Sequence, residues 1–348
     1  MRFYRIQWLI ALLTLSSGLP LAGLAAAPAA FEADWLFQRA DVVGGEVATL
    51  DDKNWSPVRL PHDWSIAGPF AETNETGGAG AFLPGGVVWY RKHFQLPTAA
   101  SNQVCRIEFD GVMQNSDVWI NGQPLGHRPF GYVSFSYPLT GHLHYGDADN
   151  VLAVRCDTSA QPASRWYSGG GIYRHVRLTF ANPVHVVPDG IFISTPEISP
   201  QSAVISAAVT LTNETSQSQV VTLRHQVVTP KGKRLTVWST NAAVMPGGSS
   251  DLMALIPIDR PQLWDLDQPA LYRLITTVVS VTGVGRQSWT NTFGIRSAVF
   301  TTNQGFVLNG QKVMLKGVCL HHEAGAFGAA VPLDVWEQRL LTLRQLGV

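Results

Sequence analysis

The sequence contains little cysteine. Its three cysteines, Cys105, Cys156 and Cys319, are far apart in the 348 residues, and this spacing resembles no metal site. Cys105 and Cys156 each lie in an apolar strand pattern. An exported protein could oxidise them to a disulfide, but two buried free thiols are the preferred interpretation.

Charge is also scarce. Charged residues make up 14% of the chain, and 25 Lys and Arg balance 25 Asp and Glu. Such a chain has no strong field to attract nucleic acid or an anionic membrane, so we expect neither as a partner. After the first 30 residues no apolar run is long enough to span a bilayer, so we expect no membrane span once the leader is removed.

The N-terminus has the features of a signal peptide. Arg2 and Arg5 precede an apolar stretch, which Pro20 interrupts before it reaches the length of a transmembrane helix. A run of small residues at 25–30 offers cleavage sites. We therefore predict a signal peptide over residues 1–30 and export to the periplasm or the medium.

Residues 31–182 combine short strand patterns with frequent turn residues. Asn121-Gly122 is a strong hairpin turn, and no ten-residue helical pattern occurs. This spacing predicts a sandwich or jelly roll. The expected strands are 87–94, 104–109, 117–120, 150–156 and 176–180.

Residues 183–296 form a second all-β block of about 110 residues, which suits a seven-stranded immunoglobulin-like sandwich. Strands are expected at 203–211, 219–227 and 271–279, with a turn at 231–233. A Cys…Trp…Cys pattern is missing, so the block does not have the signature of an antibody domain.

After residue 297 the pattern changes. The turn Asn309-Gly310 leads to a buried-type strand at 313–318, a loop, and a helix at 335–346 that Asp334 caps and Gly347 ends. Strand, loop and helix are the start of an α/β domain such as a (β/α)₈ barrel, which needs about 250 residues. Only about 50 residues remain here, so we expect the chain to be a fragment whose barrel is truncated.

Several segments, in order along residues 60–348, resemble glycoside hydrolases of family two, the β-galactosidase-like enzymes. The most specific is the ten-residue segment at 165–174, Arg-Trp-Tyr-Ser-Gly-Gly-Gly-Ile-Tyr-Arg. The resemblance implies a jelly-roll sugar-binding domain over 31–182, an immunoglobulin-like sandwich over 183–296 and the first βα unit of a TIM barrel over 297–348. The other matching segments are 60–64, 86–94, 119–122, 125–126, 131–132, 293–296, 306–310 and 315–323.

The resemblance also implies a reaction. Enzymes of this family hydrolyse terminal β-linked sugars, most often β-galactosides, with retention of configuration. They use two glutamates about 5–5.5 Å apart, one as acid/base and one as nucleophile. In the family both glutamates lie on later barrel strands, so we assign no catalytic residue within this chain. We expect no cofactor or metal here, although a divalent cation is possible in a full-length enzyme, and the sequence does not predict an oligomeric state.

The barrel start supplies three candidate substrate-binding residues, His321, His322 and Glu323. His321 is the strongest because it follows the first barrel strand, at the face where barrel active sites form, and the family has a substrate-contacting histidine there. An imidazole can hydrogen-bond a sugar hydroxyl. The alternative is a structural loop histidine. Three adjacent side chains diverge, so we do not expect them to hold a metal.

Arg165 and Trp166 are the other candidates, in a loop that reaches the barrel mouth in related enzymes. Some family members place an Asp near Arg165, so an ion pair at a domain interface is the alternative role for this arginine. Trp166 is a candidate for stacking on a sugar face or, equally, for packing at an interface.

Three further features have structural interpretations. His62 and Asp63 are expected to organise a turn. The polar, glycine-rich loop 68–86 could border a sugar pocket or be a surface loop. The three glycines at 169–171 are not a phosphate loop, because no helix N-terminus follows them.

Two other functions compete with the hydrolase: a carbohydrate-binding module without catalytic activity, and an adhesion or receptor ectodomain built of sandwiches. Neither needs a strand-loop-helix unit after two sandwiches, so residues 306–348 favour the hydrolase.

Overall fold

The computed structural model describes residues 31–161, 163–280 and 285–348. The predicted signal peptide, residues 1–30, lies outside them. The described chain is mostly β, as the sequence predicts, with a single α-helix, α1 (Leu333–Gln345). Its strands are β1 (Trp35–Gln38), β2 (Ser56–Val58), β3 (Val87–Phe94), β4 (Val104–Phe109), β5 (Ser116–Ile120), β6 (Gln123–Arg128), β7 (Phe135–Pro138), β8 (Asn150–Asp157), β9 (Val176–Ala181), β10 (Val184–Ile198), β11 (Ser202–Asn213), β12 (Gln219–Val228), β13 (Arg234–Val244), β14 (Ser249–Asp259), β15 (Tyr272–Ser280), β16 (Arg286–Phe293), β17 (Ala298–Thr301), β18 (Gly305–Leu308) and β19 (Gln311–Lys312).

The first sandwich packs a six-stranded sheet, in the order β2-β1-β3-β8-β5-β6, against a three-stranded sheet, β7-β4-β9. Residue alternation determines which side chains enter its core. In β4, Ile107 and Phe109 are fully buried, whereas Arg106 and Glu108 lie on the opposite face. One apolar cluster joins the two sheets, and Tyr90 of β3 belongs to it.

The predicted strands of this sandwich are confirmed to within one residue at each end. The Asn121-Gly122 turn is confirmed as well. Asn121 has φ 51° and Gly122 has φ 79°, and these two residues join β5 to β6. Two positive φ angles are the requirement of a type I′ hairpin turn, which Asn-Gly satisfies with little strain.

The second sandwich is formed by the sheets β10-β11-β14 and β13-β12-β15-β16. In β11 every second residue from Ala203 to Asn213 is buried. Two adjoining apolar clusters fill the space between the sheets; Ile205 belongs to one and Leu223 to the other. The predicted strands 203–211, 219–227 and 271–279 are confirmed, apart from Leu271, which precedes β15.

Residues 313–318 correct one expectation. A small sheet, β17-β18-β19, ends at Lys312, and residues 313–320 have no strand. Most of this segment is exposed, including Met314 and Leu315 at 74% and 62%. A parallel strand is stabilised by hydrogen bonds to neighbouring strands. Here only Val313 bonds to a described strand, through its N–H to Phe306 O of β18, and residues 314–318 pair with none of the described strands.

The helix is confirmed, with a different start. It begins at Leu333 with Pro332 as its N-cap, and Asp334 lies inside the first turn, where its carboxylate accepts the Val335 N–H. Pro332 precedes the helix because its fixed φ suits the chain entering a first turn. Gly347 ends the helix, as predicted: its φ is 82°, and Val348 N bonds to Leu343 O in the Schellman pattern.

The described cysteines are free thiols, as the sequence favours. Cys105 and Cys156 are buried and Cys319 is exposed. Burial raises the pKa of Cys105 to about 12, so this thiol is protonated at neutral pH. Across the described residues, α1 and the shorter helical turns all lack the length and apolar character of a membrane-crossing helix.

Candidate functional site

Two segments far apart in sequence meet beside the first sandwich: the loop 164–170 and the stretch 321–330. Their closest aromatic contact joins Trp166 and His321, whose ring centroids lie 4.7 Å apart at an interplanar angle of 39°. His321 is exposed and Trp166 is half-buried. The pair therefore presents an imidazole and part of an indole at the surface.

His322 has a different environment. Its Nε2 lies 2.9 Å from the Ser168 carbonyl oxygen, which can only accept, so Nε2 donates. Its ring packs edge-on between Tyr132 and Tyr173, with centroids at 5.1 and 5.4 Å. Trp166 Nε1 in turn donates to Tyr132 Oη at 3.1 Å. His322 thus fixes the geometry that places His321 against Trp166.

Glu323 and Arg165 stand apart from this aromatic group. The Glu323 carboxylate accepts the Gly325 N–H at 3.2 Å, and the Glu323 carbonyl accepts from Arg339 Nη1 at 2.7 Å. Arg165 is exposed, and no acidic group among the described residues lies within ion-pair distance of it. The alternative role of Arg165, an interface ion pair, has no partner in this part of the chain.

Asp63 is the hydrogen-bonding centre of the site. Its Oδ1 accepts from Ser65 N at 3.2 Å and Gly170 N at 3.0 Å. Its Oδ2 accepts from Tyr167 Oη at 2.7 Å and Ala329 N at 2.8 Å. The bond to Ser65 organises the local turn, as expected, while the other three tie together both segments of the site.

Burial shifts the pKa values of both Asp63 and Tyr167 upward. Asp63 is 4% exposed, and burial raises the pKa of its carboxyl, against the lowering effect of the four hydrogen bonds. Burial and the nearby Asp63 carboxylate also raise the pKa of Tyr167 well above its usual range, so Tyr167 remains a proton donor to Asp63.

The glycines around Asp63 allow this close approach. A Cβ on Gly169, whose φ is 75°, would lie 2.6 Å from Ala329 Cβ and 2.8 Å from Asp63 Oδ2. Gly328, with φ 56°, is equally crowded by the same carboxylate. The run of glycines at 169–171 therefore serves packing.

The loop 68–86 borders the same region. Thr76 Oγ1 donates to Leu83 O at 2.5 Å within the loop, and Ser65 Oγ, which precedes the loop, donates to Pro84 O at 2.6 Å near its other end. Its residues share the walls of a small cavity of about 20 Å³ with Trp166 and Tyr167. The loop is thus an ordered border of the site.

Of the five predicted site residues, the structure brings His321, His322 and Trp166 together, and it adds Asp63, for which the sequence predicts only a turn. Asp63 lies within the matching segment 60–64, but its partners Gly170 and Ala329 are 107 and 266 residues away, so the sequence does not show that they meet. Tyr132 and Tyr173 were part of recognised segments without an assigned role. Among the described residues, no three His, Cys, Asp or Glu side chains group as metal ligands would.

Comparisons with known proteins agree with this architecture. The family model "Glycosyl hydrolases family 2" matches residues 184–296. The β-galactosidase BoGH2A of Bacteroides ovatus is 41% identical over 91% of this chain, and a putative β-glucuronidase of Formosa agariphila is 36% identical over 91%. These matches cover 37% and 30% of the two relatives.

A solved structure shows the same fold. A glycosyl hydrolase family 2 member from Bacteroides cellulosilyticus superposes with a TM-score of 0.86 at 32% identity, over 91% of this chain and 41% of that protein. The chain therefore spans 30–41% of the length of these three relatives. Segment order, sandwich architecture and these similarities agree, and the chain belongs to glycosyl hydrolase family 2.

Proposed function

We propose that this chain is the substrate-facing front part of an exported β-glycosidase that hydrolyses terminal non-reducing β-galactosides. The observation that carries the proposal is the pair of half-buried Trp166 and exposed His321 at the surface, held in place by His322 and Asp63. An aromatic face beside a hydrogen-bonding imidazole is a chemistry suited to a sugar ring, which has apolar C–H faces and hydroxyl edges. The likeness to a β-galactosidase supports the choice of galactosides.

The domain assignments are part of this proposal. The nine strands of the first sandwich support a jelly-roll sugar-binding domain over 31–182, and the seven of the second support an immunoglobulin-like domain over 183–296. Residues 297–348, with α1 after an extended stretch, are the first βα unit of a TIM barrel. The exposed apolar residues of this stretch are the side chains that such a barrel would bury.

Five residues have proposed roles in substrate binding. His321 hydrogen-bonds a hydroxyl and Trp166 covers a sugar face. Arg165, exposed beside Trp166, contacts a more distant part of the substrate. His322 and Glu323 shape the loop: the His322 imidazole is tied to Ser168, and the Glu323 carboxylate holds the Gly325 turn.

The chemistry follows the retaining route. One glutamate attacks the anomeric carbon while a second protonates the leaving oxygen, and water then releases the sugar with the second group acting as base. We place both glutamates in sequence beyond Val348, so that the 348 residues alone bind substrate but do not cleave it. The predicted leader at 1–30 directs export to the periplasm or the medium.

The test compares this chain with a longer gene product that carries it. We expect the longer protein to hydrolyse nitrophenyl β-galactoside faster than the matching glucuronide or mannoside, and the 348-residue chain to release no nitrophenol above a blank. In the longer protein, His321→Ala is expected to raise KM about tenfold, the effect of about 1.4 kcal/mol of lost binding. His127→Ala, an exposed histidine paired with Asp117, is the matched control. Hydrolysis by the chain alone, or equal KM values in both variants, would contradict the proposal.

The alternative function, carbohydrate binding without hydrolysis, shares the Trp166–His321 surface. Galactoside binding by the chain, lost in Trp166→Ala, together with a longer protein inactive on every nitrophenyl glycoside, would favour it.

A further inference from the structure

A groove lies between the two sandwiches, and neither Trp166 nor His321 lines it. Its volume is 840 Å³, within the range of about 300–1,000 Å³ typical of small-molecule sites. One wall is the outer face of β4 and β9, the second is the first half of β10, and the third is β16. None of its lining residues belongs to the site described above, so a ligand here would be independent of that site.

The groove walls are held in fixed positions. Gln287 of β16 accepts the Asn182 N–H at 3.2 Å and donates to Phe180 O at 3.3 Å, which joins the second sandwich to the end of β9. In β10 the pairing register shifts between Val186 and Ile191, and the intervening residues form part of the lining. Such bulges commonly re-aim side chains near binding sites.

Two polar atoms in these walls lack partners. Arg106 Nε and Asn291 Oδ1 are shielded from solvent and make no hydrogen bond among the described residues. A buried polar atom without a partner costs about 1–3 kcal/mol, and a native structure that keeps such groups calls for an explanation. Both residues line the groove, and Arg106 also donates through Nη2 to Ser136 Oγ at 3.0 Å.

The charges favour an acidic ligand. Arg106 and Arg286 both line the groove, and neither has an acidic group within ion-pair distance in the described chain. Two acidic residues line the groove. The Glu108 carboxylate already forms an ion pair with Arg177 and accepts a hydrogen bond from Thr179, and Asp189 is exposed at the rim. A guanidinium without a carboxylate of its own is suited to bind one from a ligand.

Trp289 adds an apolar platform. Its side chain packs against the apolar cluster of the second sandwich that contains Leu223, and it is half-buried in the groove wall.

We propose that this groove is a second carbohydrate site, which binds a saccharide chain containing a uronic acid. Arg106 and Arg286 face the carboxylate, Trp289 faces a sugar ring, and the Asn291 amide hydrogen-bonds a hydroxyl. This site lies beyond the proposed galactoside hydrolysis and does not depend on it.

The test is calorimetric titration of the 348-residue chain with two short oligosaccharides of equal length and linkage, one containing glucuronic acid and the other glucose in its place. The acidic sugar is expected to bind about tenfold tighter, and Arg106→Gln and Arg286→Gln should each remove about that factor. Arg224→Gln, which removes an exposed charge on β12 outside the groove, is the matched control and should bind as the parent does. Because Arg286 is exposed, its variant also keeps the test valid if Arg106→Gln fails to fold.

Equal affinity for the two sugars or unchanged affinity in Arg286→Gln would overturn the inference. Displacement of the acidic sugar by equimolar inorganic phosphate would also overturn it, because it would indicate a general anion site. Trp166→Ala separates this proposal from the first one. Binding that survives Trp166→Ala assigns the sugar to the groove, whereas binding lost in that variant assigns it to the Trp166–His321 pair and contradicts a groove site.

Discussion

The Asp63 centre gives the sharpest prediction, because Asp63→Asn has nearly the same shape but cannot accept all four of the hydrogen bonds that the carboxylate accepts. In Asp63→Asn, the amide oxygen can still accept the N–H groups of Ser65 and Gly170. The amide NH₂ then faces Tyr167 and Ala329, which both donate in the parent protein. The tyrosine hydroxyl can rotate and accept, but the backbone N–H of Ala329 cannot.

The magnitude follows from this count. A buried N–H without an acceptor costs about 1–3 kcal/mol, and each of the two retained bonds loses its charge-assisted part, about 0.5–1 kcal/mol. The substitution also removes the desolvation cost of a buried carboxylate, which the raised pKa of Asp63 indicates, and this partly offsets the loss of folding free energy. The expected net loss is about 2–3 kcal/mol, which lowers the melting temperature of a domain of this size by about 5–10 °C.

Two measurements test the reasoning. Thermal melting reports the global loss, with Asp117→Asn as control, because Asp117 makes only a partly exposed pair with His127 and should shift melting little. Hydrogen exchange reports the local loss: the Ala329 amide should exchange about tenfold faster or more in Asp63→Asn. A variant that melts with the parent and keeps the Ala329 amide protected would refute the role given to Asp63.

Three other predictions follow from the described residues. Burial lowers the pKa of His93, but the hydrogen bonds of its ring to Asp52 and Asp149 outweigh burial and raise this pKa above 6.5. The stability that His93 contributes is therefore present below about pH 6.5 and is lost as the pH rises through the pKa of the folded state. Urea unfolding should show this loss in the parent and not in His93→Gln. Burial lowers the pKa of His225 to about 4, so its contribution is lost as pH falls from 6.5 toward that value, and a variant His225→Gln that keeps the same acid sensitivity would contradict this. Limited trypsin digestion should cut first at Lys316 and in α1, whose residues are not buried, and a resistant tail would speak against their exposure.

Thiol accessibility supplies one more expected outcome. A thiol reagent should label Cys319 alone in the folded chain and all three cysteines in urea, because Cys105 and Cys156 are buried. Rapid labelling of two or more thiols without denaturant would contradict the packing of the first core.

Local patterns in the sequence were sufficient to locate most of the strands. The alternation in 104–109 depends only on which side of a pleated strand each residue faces, and the turn at Asn121-Gly122 depends only on the φ angles of two residues. The stop at Gly347 is equally local. Such features are readable because neighbours in the chain decide them.

Tertiary structure decided the rest. The apolar run at 313–318 resembles a buried strand, yet beyond Val313 no described strand pairs with it, because strand partners come from elsewhere in the fold. Tertiary structure brings Tyr167, Gly170 and Ala329 to Asp63 from about 100 or more positions away. The contact of Trp166 with His321 and the groove between the sandwiches also join residues that are distant in sequence. Nothing in the local sequence encodes which distant segment will arrive at a given surface, since that depends on how two complete sandwiches pack and on where the connecting loops bring the chain.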